Sequence, residues 1–166
     1  MSYFILIRGP LGCGKTTIAK KLARELKASY ISIDQVLEKH GLDKIPPKEP
    51  SIPLKNFLNA NKLVLPQART DLEKGKIVIF DACFYNKEVI EDLIENLKYS
   101  HYIFTLKAPI ELCIERDKGR KRVYGEDAAR AVHKMVSRFD YGIVIDVSDT
   151  LEKSVKEILK YLPNNN

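Results

Sequence analysis

Two hydrophobic patterns alternate along the chain. Strand-like runs occur at 3–8, 29–33, 76–81, 101–106 and 142–147. Within them, 77–80 and 143–145 are continuous, apolar and rich in β-branched residues, which is typical of strands covered on both faces of a sheet. Between them, apolar residues recur every three or four positions, which predicts helices over 15–27, 55–74, 87–98, 109–118, 126–138 and 151–162. This alternation predicts an α/β fold in which helices cover both faces of a mostly parallel sheet.

One segment, 41–53, interrupts the alternation. It contains Pro46, Pro47, Pro50 and Pro53, which are half of the eight prolines in the chain. Proline disfavours helix interiors and central strands, and four prolines within thirteen residues predict that the segment is a loop. A loop of this length either shapes a substrate pocket or is a surface excursion.

Composition fits one domain over 1–166, because 166 residues with 45% hydrophobic content suffice for one core. No apolar run approaches the roughly 20 residues of a membrane span, and the N-terminus lacks the pattern of a secretory signal.

Three separated cysteines, Cys13, Cys83 and Cys113, fit neither a disulfide framework nor a zinc site, so we expect free thiols in a reducing cytoplasm. Cys13 is either a small loop residue or an oxidation-sensitive thiol whose pKa a helix N-terminus lowers. The net charge of +6 suits nucleic acid and polyphosphate equally.

The first apolar run ends in a phosphate-binding loop pattern. Gly9, Gly14, Lys15 and Thr16 occupy its fixed positions. Glycines let backbone N–H groups point at an anion, and the helix that follows presents its positive N-terminus to the same phosphates. Lys15 is expected to reach the outer phosphates, and the Thr16 hydroxyl to ligate Mg²⁺. The predicted nucleotide-binding residues are Gly9, Gly12, Cys13, Gly14, Lys15, Thr16 and Thr17.

Carboxylates follow several of the predicted strands, at the sheet edge where ligands bind in parallel sheets. Asp34 follows the second strand and Asp81 ends the third. Asp81 is predicted to support Mg²⁺, with Asp34 as a further candidate ligand, a catalytic group, or only the cap of a helix from Gln35. Asp149 follows the last strand, near the expected nucleotide base, and with Glu152 is predicted to cap the last helix.

A compact group of cations follows the fourth strand and its helix. Five of the eight residues at 115–122 are Lys or Arg. The group is either a solvated helix end or a mobile lid over about 116–125. As a lid it would bring Arg116 and Arg120 to a transferring phosphoryl group, where planar guanidinium donors suit the developing charge.

These residues make the chain resemble the small P-loop kinases of the nucleoside-monophosphate-kinase-like group. That group includes shikimate kinase, gluconate kinase, the chloramphenicol phosphotransferase type and the kinase domain of polynucleotide kinase. The resemblance follows the element order over essentially the whole chain, and its most specific residues are the loop, Asp34, Asp81 and Glu115-Arg116-x-x-Gly119-Arg120. It implies a three-layer P-loop NTPase fold whose five-stranded parallel sheet carries the loop on its central strand, with an arginine-bearing lid. It also implies ATP and Mg²⁺, with Asp34 as the acceptor of the substrate proton and the lid arginines as a phosphate clamp.

Two positions depart from these relatives. Ser32 stands where several of them carry a second acid, and Leu37 where polynucleotide-kinase-like members carry an arginine. The second departure disfavours a nucleic-acid or nucleotide acceptor. Arg69 is an acceptor-binding candidate by its likeness to shikimate kinase, the alternative being a solvated helix residue. Phe84 and Tyr85 follow the third strand directly and are candidates for lining the acceptor pocket.

The expected function is ATP- and Mg²⁺-dependent phosphoryl transfer to a small-molecule acceptor, with Lys15, Asp34, Arg116 and Arg120 as catalytic residues. Two alternatives stay open: a nucleic-acid 5′-hydroxyl or nucleotide kinase, and a nucleotide-binding switch or ATPase with a protein partner. A GTPase is disfavoured because the sequence has no Asn-Lys-x-Asp motif. The acceptor, the preference for ATP over other triphosphates and the oligomeric state are not determined by the sequence.

Overall fold

The computed structural model describes residues 1–121 and 123–163 and contains a five-stranded parallel sheet. The strands are β1 (Phe4–Arg8), β2 (Ser29–Ser32), β3 (Val78–Ala82), β4 (His101–Lys107) and β5 (Ile143–Asp146). They lie in the order β2-β3-β1-β4-β5, so β1 is central and pairs with β3 and β4. The predicted α/β class, the five parallel strands and the central position of the strand before the loop are confirmed.

Helices connect the strands in the described part of the chain. They are α1 (Lys15–Glu25), α2 (Ile33–Lys39), α3 (Leu54–Glu73), α4 (Lys87–Leu97), α5 (Ile110–Lys118), α6 (Glu126–Val136) and α7 (Leu151–Leu159). Periodicity does not predict α2, because its seven residues make only two turns. None of the described helices is long and apolar enough to cross a membrane.

Two predicted helix caps are wrong by one or two residues. The Ser32 side chain, not that of Asp34, caps α2 by accepting a hydrogen bond from the Gln35 N–H at 3.2 Å. Thr150, not Asp149, caps α7 by accepting from the Lys153 N–H at 3.3 Å. Asp34 therefore has no capping role at the start of α2.

The sheet separates two hydrophobic cores. Successive side chains of a strand point to opposite faces, and in β1 Ile5 and Ile7 pack with α1 and α7 while Phe4 and Leu6 pack with α2, α3 and α4. Both faces of the central strand are therefore covered, which explains its uninterrupted apolar run. The three-layer arrangement is confirmed.

A buried arginine, Arg8, ends β1 directly before the phosphate-binding loop. Its guanidinium donates to the Phe84 carbonyl at 3.3 Å and, at 3.0 Å each, to Thr105 Oγ1 and the carbonyls of Val136 and Phe139. It also lies 4.2 Å from the centroid of the Phe139 ring. Burial lowers the pKa of Arg8 to about 10, so the side chain stays charged at neutral pH. Arg8 thus ties the central strand to β4 and to the end of α6.

We expect Arg8→Ala to lower the free energy of unfolding by about 3 kcal/mol, because it leaves several buried acceptors without a donor. Urea unfolding of the wild type and the variant measures this change. Arg24→Ala, at an exposed arginine of α1, is the matched control and should cost less than about 0.5 kcal/mol. A loss at Arg8 no larger than the loss at Arg24 would contradict this role.

Candidate active site

The loop between β1 and α1, residues 9–14, packs against the backbone of α5. Gly12 and Gly14 have φ of +79° and +95°, values that favour glycine. A Cβ at Gly12 would lie 2.0 Å from the Cys113 carbonyl oxygen in α5, so a larger residue does not fit there. Gly14 precedes α1 without a side-chain cap, so the N–H groups of the first helical turn are suited to bind an anion.

Lys15 is buried below this loop, with 3% of its surface exposed. Burial opposes its charge, but the acidic groups of Cys83, Cys13, Asp81 and Asp34 outweigh burial, and the pKa of Lys15 lies above its usual value. The ammonium is therefore a fixed positive charge among acids. Thr17, the last predicted residue of the loop region, is exposed.

The three cysteines are buried free thiols, as predicted. Burial raises the pKa of Cys13, and it raises the pKa of Cys83 to about 12 and that of Cys113 to about 11. Of the two interpretations of Cys13, the structure favours the small loop residue, because burial outweighs the effect of the helix N-terminus and keeps the thiol protonated.

Asp81 accepts two hydrogen bonds at one carboxylate oxygen. Thr16 Oγ1 and the Tyr30 hydroxyl both donate to Asp81 Oδ2 at 2.8 Å. Asp81 is 1% exposed, and its Oδ1 is buried with no hydrogen-bond partner among the described residues. An orphaned carboxylate oxygen is suited to a cation or to water bound by one. Thr16 and Asp81 therefore fit the predicted Mg²⁺.

Protein ligands alone do not complete such a site. Within 1–121 and 123–163, no three His, Cys, Asp or Glu side chains form a cluster that could hold a metal. Mg²⁺ is usually held by one or two protein groups, substrate phosphates and water. The pair of a hydroxyl and a carboxylate beside the loop matches that pattern.

Tyr30, in β2, is absent from the residues that the sequence predicts for the site. Burial and then the neighbouring Asp81 carboxylate raise the pKa of Tyr30 above its usual value, which keeps the hydroxyl a donor. The signal in the sequence is weak, because a tyrosine in a short strand serves core packing as often as it serves a functional site. Only the contact with Asp81 reveals it.

We expect Tyr30→Phe to raise the Mg²⁺ concentration for half-maximal activity by roughly 10-fold, because loss of a partner that orients a metal ligand typically weakens metal binding by that amount. Activity against Mg²⁺ at saturating ATP measures it. Tyr161→Phe, at an exposed tyrosine after α7, is the control. An unchanged Mg²⁺ dependence together with lower thermal stability would mean that Tyr30 only packs.

Asp34 lies in the first turn of α2 and is half-buried. Burial raises the pKa of Asp34 to about 6, an effect that Lys15 opposes and the Asp81 charge reinforces. A carboxylate that titrates near neutral pH is suited to accept a proton. The structure thus brings Lys15, Asp34 and Asp81 together, as the sequence predicts.

A cavity of about 300 Å³ lies on one side of the loop. Gly12 and Gly14 line it together with Arg116, Arg120 and Asp149. Its position beyond β5 agrees with the side predicted for the nucleotide base.

Arg116 is bound to backbone rather than free. Its Nη1 donates to the carbonyls of Cys13 at 3.1 Å and Val147 at 2.9 Å, and its Nη2 to the Asp149 carbonyl at 3.3 Å. These contacts join the loop to the connection between β5 and α7. These bonds use three of the five N–H donors of the guanidinium, so a phosphate-clamping role for Arg116 stays a prediction. Arg120, the other predicted clamp residue, is 32% exposed and lies 4.0 Å from Asp117 Oδ1.

The connection between α5 and α6 is fixed by Asp117, which is 2% exposed. The N–H groups of Tyr124 and Gly125 both donate to Asp117 Oδ2 at 3.1 Å. The predicted lid, 116–125, is thus tied near both its ends. Arg122, which the sequence places in the same lid, lies outside the described residues.

A second cavity of about 300 Å³ lies on the other side of the loop and contains Asp34. Segment 41–53 contributes Asp43, Ile45 and Ile52 to its wall, so of the two predictions for that segment the pocket-shaping one is supported. Tyr85 also lines this cavity, as predicted, and its ring contacts that of Phe57 edge-on at 5.2 Å between centroids.

Two acceptor candidates from the sequence lie elsewhere. Phe84 is fully buried in the core, and its carbonyl is used by Arg8. Arg69 is exposed on α3 and donates to the Asn96 carbonyl at the end of α4 at 2.9 Å. Neither lines the cavity of Asp34, so the acceptor-binding role predicted for them is not supported.

Known proteins share this architecture. The model of the AAA_33 family, described as an AAA domain, matches residues 4–141. A cytidylate kinase from Saccharolobus islandicus is 28% identical over 160 residues, which cover 87% of this chain and 76% of that protein. A shikimate kinase from Francisella tularensis subsp. novicida is 51% identical over 40 residues, which cover 24% of this chain and 23% of the relative. The match therefore spans about a quarter of that shikimate kinase.

Solved structures extend the likeness to the whole fold. A sugar kinase from Janibacter sp. HTCC2649 has a TM-score of 0.79 at 17% identity, and the alignment covers 97% of this chain and 94% of that one. Its extent agrees with the element order on which the resemblance to small P-loop kinases depends. The chain belongs to the AAA_33 family of AAA domains and has the fold of the small P-loop kinases of the nucleoside-monophosphate-kinase-like group.

Proposed function

We propose that the protein is an ATP-dependent kinase that transfers the terminal phosphoryl group to a hydroxyl of a small-molecule acceptor. One observation carries the proposal: the phosphate-binding loop separates two cavities of similar size. Gly12 and Gly14 line one, and Leu11 lines the other together with Asp34. Phosphoryl transfer requires the nucleotide and the acceptor to be held next to each other, and two cavities on opposite sides of a phosphate-binding loop provide that arrangement.

The residues between the cavities supply the chemistry. Lys15 offers a buried positive charge to the transferring group, and Arg120 offers a second from the lid. Asp34 accepts the proton of the attacking hydroxyl. Its pKa near 6 favours this role, and so does its position in the wall of the second cavity, which we call the acceptor-side cavity. Arg116 positions the phosphate-binding loop against the connection between β5 and α7. We assign the loop residues Gly9 to Thr17 to the phosphates of the nucleotide, because the start of α1 has no side-chain cap to occupy its N–H groups.

Mg²⁺ completes the proposed site. Thr16 and Asp81 would hold it, and when bound it supplies positive charge that neutralises the phosphate oxygens. Tyr30 keeps Asp81 oriented. We place the reaction in the cytoplasm, on the basis of the buried free thiols and the ATP requirement.

A nucleotide acceptor is the second candidate. The cytidylate kinase relative, aligned over 87% of this chain, favours it. The absence of an arginine at Leu37 and the distant position of Arg69 speak against it. A nucleic-acid end or a protein-regulating ATPase has no comparable support from the described contacts.

An acceptor screen tests the proposed function. ADP formation is measured at saturating ATP and Mg²⁺ with neutral alcohols, amino alcohols, sugars, hydroxy acids such as shikimate and gluconate, CMP, and an oligonucleotide with a 5′-hydroxyl. Product phosphorylation is confirmed by mass spectrometry, with Asp34→Asn as the inactive control. ATP hydrolysis that no acceptor accelerates would favour the ATPase alternative. Phosphorylation of CMP alone would favour the nucleotide kinase.

A further inference from the structure

The buried arginine at the end of β1, Arg8, directly precedes Gly9, the first residue of the phosphate-binding loop. A fully buried guanidinium is usually paired with a carboxylate, because burial of a charge is costly. Within 1–121 and 123–163, the four acceptors of its hydrogen bonds are instead neutral oxygens, three carbonyls and one hydroxyl. An apolar side chain of similar size often serves stability as well as a buried charge does. Stability alone therefore does not account for an arginine at this position.

One of these acceptors, the Phe84 carbonyl, belongs to the turn that follows β3. Phe84 has a φ of +45°, an unfavourable value for a bulky side chain, so the contacts around it must hold this backbone conformation. Its ring is fully buried, and its carbonyl accepts from Arg8 Nε at 3.3 Å. The residues on either side, Cys83 and Tyr85, line the acceptor-side cavity. Arg8 thus helps to hold one wall of that cavity.

Two further acceptors lie at the C-terminal end of α6 and just after it. The last carbonyls of a helix have no partner within the helix, and a cation near them also interacts favourably with the helix dipole. Arg8 supplies that cation, since its Nη2 donates to the Val136 carbonyl and its Nη1 to the Phe139 carbonyl, each at 3.0 Å. Met135 and Val132 of the same helix line the acceptor-side cavity. Arg8 therefore also holds the wall that α6 provides.

We propose that Arg8 is a positioning residue for phosphoryl transfer, which fixes two walls of the acceptor-side cavity relative to the phosphate-binding loop. The inference rests on the proposed kinase function and concerns how the same site places its acceptor. The guanidinium suits this role because its five donors diverge from one rigid plane, so that one side chain reaches acceptors on both walls. An acceptor between these walls has its hydroxyl at a fixed distance from phosphates bound by the loop. A misplacement of about 1 Å can cost about 100-fold in rate, so this distance matters for transfer.

Arg8→Lys tests the proposal, because lysine keeps the positive charge but replaces the planar fork with a single ammonium. Thr105→Val is the matched control. It removes another buried partner of Arg8, the hydroxyl that accepts from Nη1 at 3.0 Å, together with the hydrogen bonds of that hydroxyl to the Tyr141 backbone. Both variants are expected to lose stability, but only Arg8→Lys disturbs the carbonyls at the two walls. Arg8→Gln, with two donors in place of five, is a second variant in case Arg8→Lys does not fold.

Kinetics separate positioning from stability. The values of kcat and KM are measured for ATP and for the compound of the acceptor screen with the highest kcat/KM, at a temperature where circular dichroism shows all variants folded. We expect Arg8→Lys to lower kcat/KM for the acceptor at least about 10-fold while the KM for ATP stays within about 2-fold of the wild-type value. Thr105→Val should change neither quantity by more than about 2-fold.

Amide hydrogen exchange tests the two walls without an acceptor. It is measured with Mg²⁺ and a non-hydrolysable ATP analogue bound. In Arg8→Lys, residues 83–86 and 133–139 should exchange faster than in the wild type, whereas the loop residues 9–17 should keep their protection. In Thr105→Val, residues 83–86 should exchange as in the wild type.

The outcomes distinguish this proposal from the proposed function. Equal losses of acceptor kcat/KM in Arg8→Lys and Thr105→Val would overturn it and leave Arg8 as a stabilising residue. A KM for ATP that rises as much as the KM for the acceptor would also overturn it, as would unchanged exchange at both walls. If the wild-type protein phosphorylates no compound of the screen, the kinase proposal fails by itself, and faster exchange at both walls would still support the role of Arg8 in holding them.

Discussion

Lys15→Ala is expected to lower phosphoryl transfer by about 1,000-fold and to abolish measurable ATP binding at the same time. Lys15 is 3% exposed and is surrounded by Asp34, Asp81 and two thiols, so its loss removes the buried cation of the site. Removing one preorganised charge from a transition state typically costs 100- to 1,000-fold, and the repulsion between the remaining carboxylates adds to this. Calorimetric titration with ATP and initial rates with the best acceptor measure both effects.

Lys21→Ala is the matched control, since Lys21 lies on the same helix in an exposed ion pair with Glu152. Surface ion pairs contribute little to stability, so the control variant should retain nearly all of the wild-type activity. Normal ATP affinity in Lys15→Ala would contradict the role of Lys15 and, with it, the assignment of the loop to the nucleotide.

Asp34→Asn is the second large effect, and it acts on transfer alone. We expect ATP affinity to stay near the wild-type value and transfer to fall at least about 100-fold, the scale of general-base catalysis. In the wild type, kcat/KM should fall about 10-fold for each pH unit below the Asp34 pKa near 6, because protonated Asp34 cannot accept the substrate proton. Full turnover by Asp34→Asn would exclude Asp34 as the base.

The same substitution is expected to stabilise the protein. Folding raises the pKa of Asp34 from 3.8 to about 6, so well below pH 3.8 the group is protonated in both states and does not affect stability. As the pH rises to 6 and above, its ionisation favours the unfolded chain. Asp34→Asn should therefore raise the free energy of unfolding by about 2 kcal/mol at pH 7.5 and by little at pH 4. Urea unfolding at the two pH values measures the difference.

Much of the fold could be predicted from sequence because its signals are local. The strand-like runs, the glycines of the loop and the helical periodicity are signals that depend on neighbouring residues only. The five strands and the long helices lie where these signals predict them. Helix α2 and the caps at Ser32 and Thr150 were harder, because two turns carry little periodicity and adjacent polar residues compete for one cap. The sequence shows Arg8 only as the last residue of a strand. Its role could not be predicted, because its four hydrogen-bond acceptors are distant in sequence and come close only when the chain folds.

The candidate site divides in the same way. Lys15, Asp34 and Asp81 could be predicted, because a loop pattern and the ends of parallel strands determine where they meet. The contact of Tyr30 with Asp81, the use of Arg116 by backbone carbonyls and the support of the lid by Asp117 join residues more than 5 positions apart in sequence, and no local pattern encodes them. Arg69 was a candidate only by its likeness to shikimate kinase, and its exposed position on α3 agrees with the alternative of a solvated helix residue.

The contacts of Arg116 have an evolutionary consequence. Its guanidinium is held by the carbonyl oxygens at 13, 147 and 149, and Gly12 packs on the carbonyl of Cys113, so this side of the site is assembled from main-chain atoms. Substitutions at those partner positions keep the carbonyls in place, whereas a substitution among the side chains that line the cavity of Asp34 changes that wall directly. If the proposed function holds, the nucleotide side tolerates sequence drift while a few side-chain changes on the other side alter the substrate.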